Sequence, residues 1–496
     1  MDQLLHSYEL IKPHVSVFIL KTESGRIHYH LSEPEISPGK FLLFQKILSL
    51  LEDSFNPDLF EKETDDGDNG VGGDGGGCGN VSGSGACGGG GNDGSGGDKG
   101  DGFALQKTII RLLKTYSIRL SDDDFDILNY YILRDFQGFG KVQPFLEDSN
   151  IEDISCSGGN LPIYVFHRHY GSIQTNIVLS ADETNGLVRK MAQRSGRQIS
   201  VAEPMADAVL PDGSRAQLTL GSEITTKGST FTIRRFNETP FTPFELIQNG
   251  TFTAEMMAYL WLCVESNMNM MFAGGTACGK TTSLNAVCRF IPIDKKIVSI
   301  EDTREINLPH LNWISGVSRE KQKSSEEKAV GEITLYDLLK ASLRQRPEYI
   351  LVGEIRGSEA YVLFQAMSTG HTTISTMHAE SVDTLIHRLE NPPMNVPRVM
   401  IQTLDVLVIL AQTEDEGRFS KKCLSIYEIL ETDPQTSEIL TQEIFNLNRP
   451  NEKINLEKSA VLEKTGIRRG WTFEKLKDEF NRRVSELQSQ TSGETK

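Results

Sequence analysis

The stretch FAGGTACGKTT (272–282) carries residue types whose spacing could hold a phosphate chain. From Gly274 it reads Gly274, Gly275, Thr276, Ala277, Cys278, Gly279, Lys280, Thr281, Thr282, which satisfies G-x-x-x-x-G-K-[ST]. Glycines let the backbone wrap phosphates with its N–H groups inward, and a helix beginning at the lysine adds its positive dipole end. Lys280 is expected to reach the β- and γ-phosphates and the Thr281 hydroxyl to ligate Mg2+, so ATP and Mg2+ are the expected ligands. The setting fits: MNMMFA precedes the loop as a strand and TTSLNAVCRF continues it as a helix.

Such a loop needs a carboxylate on a neighbouring strand. YILVGEIRG (349–357) supplies Glu354 just past a wholly apolar strand, and ligands of open α/β sheets bind at those carboxyl ends. Glu354 is expected to associate with the Mg2+. The preceding TLYDLLKASLRQR has Thr334 and Asp337 in capping-box spacing, so a helix feeds that strand. Between the two motifs, KIVSIEDTREINL brings Glu301, Asp302 and Glu305 to the same sheet edge, where one could polarise the attacking water. Capping of the strand–helix connection is the competing role, and the choice between Glu301 and Glu305 stays open. His371 and His378 flank the β-rich TTISTM, and sensing of the γ-phosphate is expected of them.

Around these motifs, strand-like SVFILK and RIHYHLS open the chain, and short strands alternate with turns between 145 and 236. Strands and helices alternate from 252, ending in a charged helical tail. The tract 64–102 holds 19 glycines and seven aspartates and cannot bury apolar surface, so disorder is expected there. The expected segments are an N-terminal α+β region (1–63), the Gly/Asp insertion (64–102), its helical continuation (103–144), a second α+β domain (145–236), a hinge linker (237–251) and an α/β nucleotide domain (252–496). A net charge of −17 with no basic block disfavours nucleic-acid binding. Seven dispersed cysteines without a Cys-x-x-Cys pair fit free thiols in a reducing compartment, and no run of 18 apolar residues suggests a membrane span.

The order of phosphate loop, IEDTRE, VGEIRG and GHTTISTMHA resembles the type II/IV secretion ATPase superfamily, and within it the archaeal branch that assembles type IV pilus-like filaments, including the archaellum motor. YYILRDFQGFGKVQPFLEDSNIEDISCSG and LPDGSR…FTIRRF resemble that branch's N-terminal half. The resemblance implies an α/β fold with a C-terminal RecA-like core, preceded by a mixed α+β (PAS-like) domain and a further small N-terminal region. It implies a homo-hexameric motor, cytoplasmic and peripherally attached to the inner face of the membrane, acting on a polytopic membrane protein of a pilus or secretion machine. Arginines of the preceding domain approach the phosphates in that family; Arg215 and Arg234 are the candidates here, with Arg235, Arg194 and Arg197 behind them. The Gly/Asp tract falls inside the family's N-terminal domain, and Cys278 stands where serine is usual. A nucleic-acid-translocating ATPase of a conjugation machine is the alternative, and the acidic charge speaks against it.

Overall fold

The computed structural model describes residues 2–36, 120–236, 240–319, 331–415, 418–433, 438–447 and 456–493, with short pieces between 39 and 118. The Gly/Asp tract lies outside the described residues. The chain forms two units, passing from the first to the second at Arg234–Arg235; the turns 167–171 and 212–214 group with the second.

The first unit is built on nine strands: β1 (Gln3–Ile11), β2 (Val15–Lys21), β3 (Ile27–Ser32), β4 (Ile151–Cys156), β5 (Pro162–His167), β6 (Gly171–Val178), β7 (Met205–Val209), β8 (Arg215–Thr219) and β9 (Thr230–Arg234). They lie in the order β1-β2-β3-β6-β5-β4-β9-β8-β7. Every second residue of β2 is buried, Val15, Val17 and Ile19, as a sheet with one packed face requires. The helix Ala181–Arg194 begins at a Ser180/Glu183 capping box and buries Val188 and Met191. The expected boundary between residues 1–63 and 145–236 is absent from the sheet. β3 pairs with β6 in parallel, and Tyr8 and Tyr29 both donate to the buried Asp148, Tyr29 at 2.7 Å. The sheet continues from β3 into β6, so the early strands complete the later sheet.

The second unit holds β10 (Met270–Gly274), β11 (Ile297–Glu301), β12 (Trp313–Val317), β13 (Tyr349–Val352), β14 (Thr372–Met377), β15 (Val406–Asp415), β16 (Arg418–Thr432) and β17 (Ile439–Asn446). Their order is β12-β11-β13-β14-β10-β15-β16-β17. β12 through β15 pair in parallel, whereas β16 and β17 are antiparallel additions. Parallel neighbours need crossover helices, which cover both faces. Alternate residues accordingly feed two cores: Met270, Phe272, Tyr349 and Leu351 enter one, and Met271, Ala273, Ile350 and Val352 the other. The helical tail closes the first core with Leu476, Phe480 and Leu487. Its start is pinned by the fully buried Glu428, which accepts from Tyr259 Oη and Ala460 N, each at 2.8 Å.

The segment expected as a hinge is in large part folded. Thr242 and Glu245 form a capping box for the helix Pro243–Gln248, whose Leu246 enters the core, and Gly250 follows at φ +69°. Residues 237–239 lie outside the described residues.

Candidate nucleotide-binding site

Parallel pairing sets the ends of β10, β13 and β14 at one edge, because Ala273 is level with Met377 and Val352 with Ser375. Gly274 ends β10, and Glu354 and His378 follow the ends of β13 and β14. Backbone conformation requires glycine twice in the loop. Gly274 has φ +155°, and a Cβ there would meet the Leu410 carbonyl oxygen at 2.2 Å; Gly279 has φ +87° and directly precedes the helix Lys280–Cys288. Ala277 also takes a positive φ of 59°. A side chain at Gly274 would collide with the neighbouring strand β15 and with Cys278 Sγ, and a glycine-rich turn leading into a helix N-terminus suits close approach of a phosphate chain.

Lys280 is buried, and its ammonium is held by the loop it serves. Nζ donates to Gly275 O at 2.7 Å and Gly274 O at 3.2 Å, and lies 3.2 Å from His378 Nδ1. An ammonium only donates, so Nδ1 accepts and Nε2 carries the ring proton. Nε2 lies 3.1 Å from Glu354 Oε1. Lysine, histidine and carboxylate thus form a continuous chain across three strand ends. His371 is not part of it: it precedes β14, at the opposite end of a six-residue strand, beside Thr369. At roughly 3.3 Å per residue the strand separates the two histidines by about 23 Å.

The acidic segment divides its labour. Glu301 is 2% exposed, and its Oε1 accepts from Glu305 N at 2.8 Å and Ile306 N at 2.9 Å, so this carboxylate shapes the loop that follows. Glu305 is only half-buried, and its backbone is held from the helix side. Asn285 Nδ2 donates to Glu305 O at 3.1 Å while its Oδ1 accepts from Asn307 N at 3.2 Å. Asn285 lies four residues beyond Thr281, on the same helix face, so Glu305 is anchored one turn from the Thr281 hydroxyl. Asp302 accepts from Ser318 Oγ at 2.9 Å and pairs with Arg356 at 2.6 Å, tying this loop to the one carrying Glu354. Glu359 Oε1 closes that second loop on the N–H groups of Arg356 and Gly357, both at 2.7 Å. Sequence reasoning passed over Asn285 and Glu359; an amide buried within a helix was the available signal for the first.

Thr281 and Glu354 are both half-buried at this edge. A hydroxyl and a carboxylate suit Mg2+, which takes oxygen ligands, keeps waters and shares phosphate oxygens. Thr276 is the exposed tip of the loop and Thr282 continues the helix. Cys278 points inward: its Sγ donates to Gly275 O at 3.1 Å, and burial raises its pKa against the lowering effect of Lys280. The thiol inside this loop is therefore a protonated packing group. Arg215 and Arg234 belong to the first unit, where they face each other across β8 and β9, with Asp153 opposite Arg234 on β4. Arg235 follows the end of β9, Arg194 donates to Phe136 O at 2.6 Å, and Arg197 closes the turn after its helix.

Residues 177–455, more than half of the chain, match the family model described as type II/IV secretion system protein. The chain is 40% identical to the uncharacterized protein MJ0900 of Methanocaldococcus jannaschii over 66% of its own length and 59% of that protein's. It is 46% identical to the uncharacterized protein MJ1287 of the same organism, over 44% of this chain and 80% of the relative. The type IV secretion system protein PtlH of Bordetella pertussis is 27% identical over 56% of this chain and 90% of PtlH. The chain thus spans less than two thirds of the first of these relatives. With a phosphate loop, a carboxylate strand end and a histidine joined at one sheet edge, this chain belongs to the type II/IV secretion system protein family.

Proposed function

We propose that the chain hydrolyses ATP and that turnover drives motion in a homo-hexameric motor of a pilus-like or secretion machine. The observation that carries the reading is the chain from Lys280 through His378 to Glu354. In it, the loop lysine is parked on two loop carbonyls and a histidine. Phosphate oxygens would compete for all three of those hydrogen bonds, so nucleotide arrival is communicated to β13 and β14 through one ring. Backbone N–H groups of 275–280 would bind the phosphates, and Thr281 and Glu354 would hold Mg2+, whose charge would offset that of the phosphates. Glu305 takes the water-polarising role, with Glu301 and Asn285 holding it in place. Arg215 and Arg234 are proposed to supply positive charge to the phosphates of a bound nucleotide.

The expected working partner is a polytopic membrane protein of the machine, met from the cytoplasmic side. Among the described residues no helix is long and apolar enough to cross a membrane. The branch-level role in archaeal filament assembly is part of this proposal.

Phosphate release per chain measured against protein concentration tests the reading, with sedimentation velocity run in parallel. Activity rising steeply as a hexamer forms supports it. Flat activity would leave an ATPase without a ring, and an assembled chain that releases no phosphate from ATP would remove the motor altogether.

A further inference from the structure

A second lysine, far away in the sequence, lies against the phosphate loop. Gly274, the last residue of β10, is level with Leu410 on β15, and Leu410 is level with Cys423 on β16. β16 runs antiparallel to β15, so the residues preceding Cys423 extend beyond the end of β10, over the loop. Lys421 stands level with Gln412, two residues before Cys423, and shares its face. That face is the one on which the loop's helix packs, because Cys423 is buried in one cluster with Cys278, Leu284 and Cys288. The placement is confirmed at Gly279: an added Cβ would meet Lys421 Cδ at 3.3 Å and Cβ at 4.0 Å. Only one methylene and the nitrogen lie beyond Cδ, so the ammonium stays within reach of the loop. Its charge also acts on the loop interior, lowering the pKa of the Cys278 thiol against the burial that raises it.

We infer that Lys421 is a second phosphate-binding cation of this site, neutralising the phosphates of a nucleoside di- or triphosphate from the side of β16. The inference rests on the nucleotide-site reading above. The loop meets its ligand with Lys280 from within, whereas Lys421 reaches over Gly279 from the antiparallel extension of the sheet. Gly279 is then required for a reason besides its φ: a side chain there would crowd the stem of Lys421. Lysine suits the position because it acts as a point charge on a long stem that can lie along a backbone.

The test is isothermal titration of ADP and ATP into the full chain for wild type and for Lys421→Met, Lys421→Arg and Lys280→Ala. Lys421→Met keeps the stem over Gly279 and removes the charge; Lys421→Arg keeps the charge. Loss of one close phosphate contact should weaken both nucleotides about tenfold in Lys421→Met, with Lys421→Arg near wild type. The gap between wild type and Lys421→Met should narrow at high salt, as screening of a charge requires. Unchanged melting without ligand shows that the variants are folded. Wild-type affinity in a folded Lys421→Met overturns the inference, and so does equal weakening in Lys421→Arg, which would make the stem's packing the cause. Absence of ADP binding by the folded wild type would instead remove the nucleotide-site reading itself, and that outcome is distinct from either.

Discussion

Strand β13 of the second unit and strand β5 of the first carry opposite burial patterns. All four residues of Tyr349–Val352 are buried, whereas in Pro162–His167 the buried Ile163 and Val165 alternate with an exposed Tyr164 and a half-buried Phe166. The difference follows from connectivity. A parallel strand needs a crossover on each side and is covered twice; an antiparallel one turns back by hairpin and leaves a face to water. It also decides where chemistry can sit. In β10, β13 and β14 of the second unit both faces are consumed by packing, so the candidate groups there gather in the loops at the strand ends. In the first unit a strand face can itself present charged groups, as β8 and β9 do with Arg215 and Arg234.

The strongest way to break that contrast is to remove the chemistry from each unit separately. Lys280→Ala should abolish phosphate release. Arg234→Ala should reduce it by about 10³–10⁵ if the arginine reaches the transferring phosphate, while changing stability by no more than about 1 kcal/mol. An Arg234→Ala chain with normal turnover would confine catalysis to the second unit. Next in size is the division within the acidic loop. Glu305→Gln should lose turnover at unchanged melting temperature. Glu301→Gln should lower the melting temperature, because its buried oxygen organises two backbone N–H groups. The reverse pattern would exchange their roles.

The packing contrast gives a smaller effect. Ile350→Ala and Leu351→Ala are neighbours serving opposite cores, and each should destabilise the second unit by about 2–5 kcal/mol. On β5 only Val165→Ala should be costly, with Tyr164→Ala within about 0.5 kcal/mol. Calorimetry that resolves the two units' transitions checks this, and a costly Tyr164→Ala would mean that the face is covered. The smallest effect concerns the thiols. Burial raises the pKa of Cys263, Cys278, Cys288 and Cys423. Their contribution to stability is complete below the unfolded thiol value of about 8.5 and is lost as pH rises above it. Stability should fall on the alkaline side, and Cys278 should react with a thiol reagent more slowly than an exposed cysteine. Fast labelling of Cys278 in the folded chain would contradict its burial.

Much of the second unit was legible in the sequence because its signals are local. The β10–loop–helix sequence, the Thr334/Asp337 cap and the apolar strand before Glu354 depend on residues a few positions apart. Within the segment expected as a hinge, Pro243 opens a helix, a role that suits proline as well as a linker does. The two-histidine reading failed for His371 because a strand's length separates its ends. The first unit was harder to read, since its early strands find a partner in β6 more than a hundred residues later.

By itself, then, the sequence determined the glycine-rich turn between a strand and a helix, the candidate acids and histidine at neighbouring strand ends, and the alternation of strand and helix around them. Those properties reside in residue type and short spacing, which act through backbone conformation and hydrogen bonding within a turn or two. Only the tertiary structure decided that Glu301 shapes the loop while Asn285 anchors Glu305. It alone decided that His378 bridges Lys280 to Glu354, that Arg215 opposes Arg234, and that Lys421 lies over Gly279. Each of these is a pairing between elements, set by strand order and register, and no local periodicity encodes which strand will lie beside which.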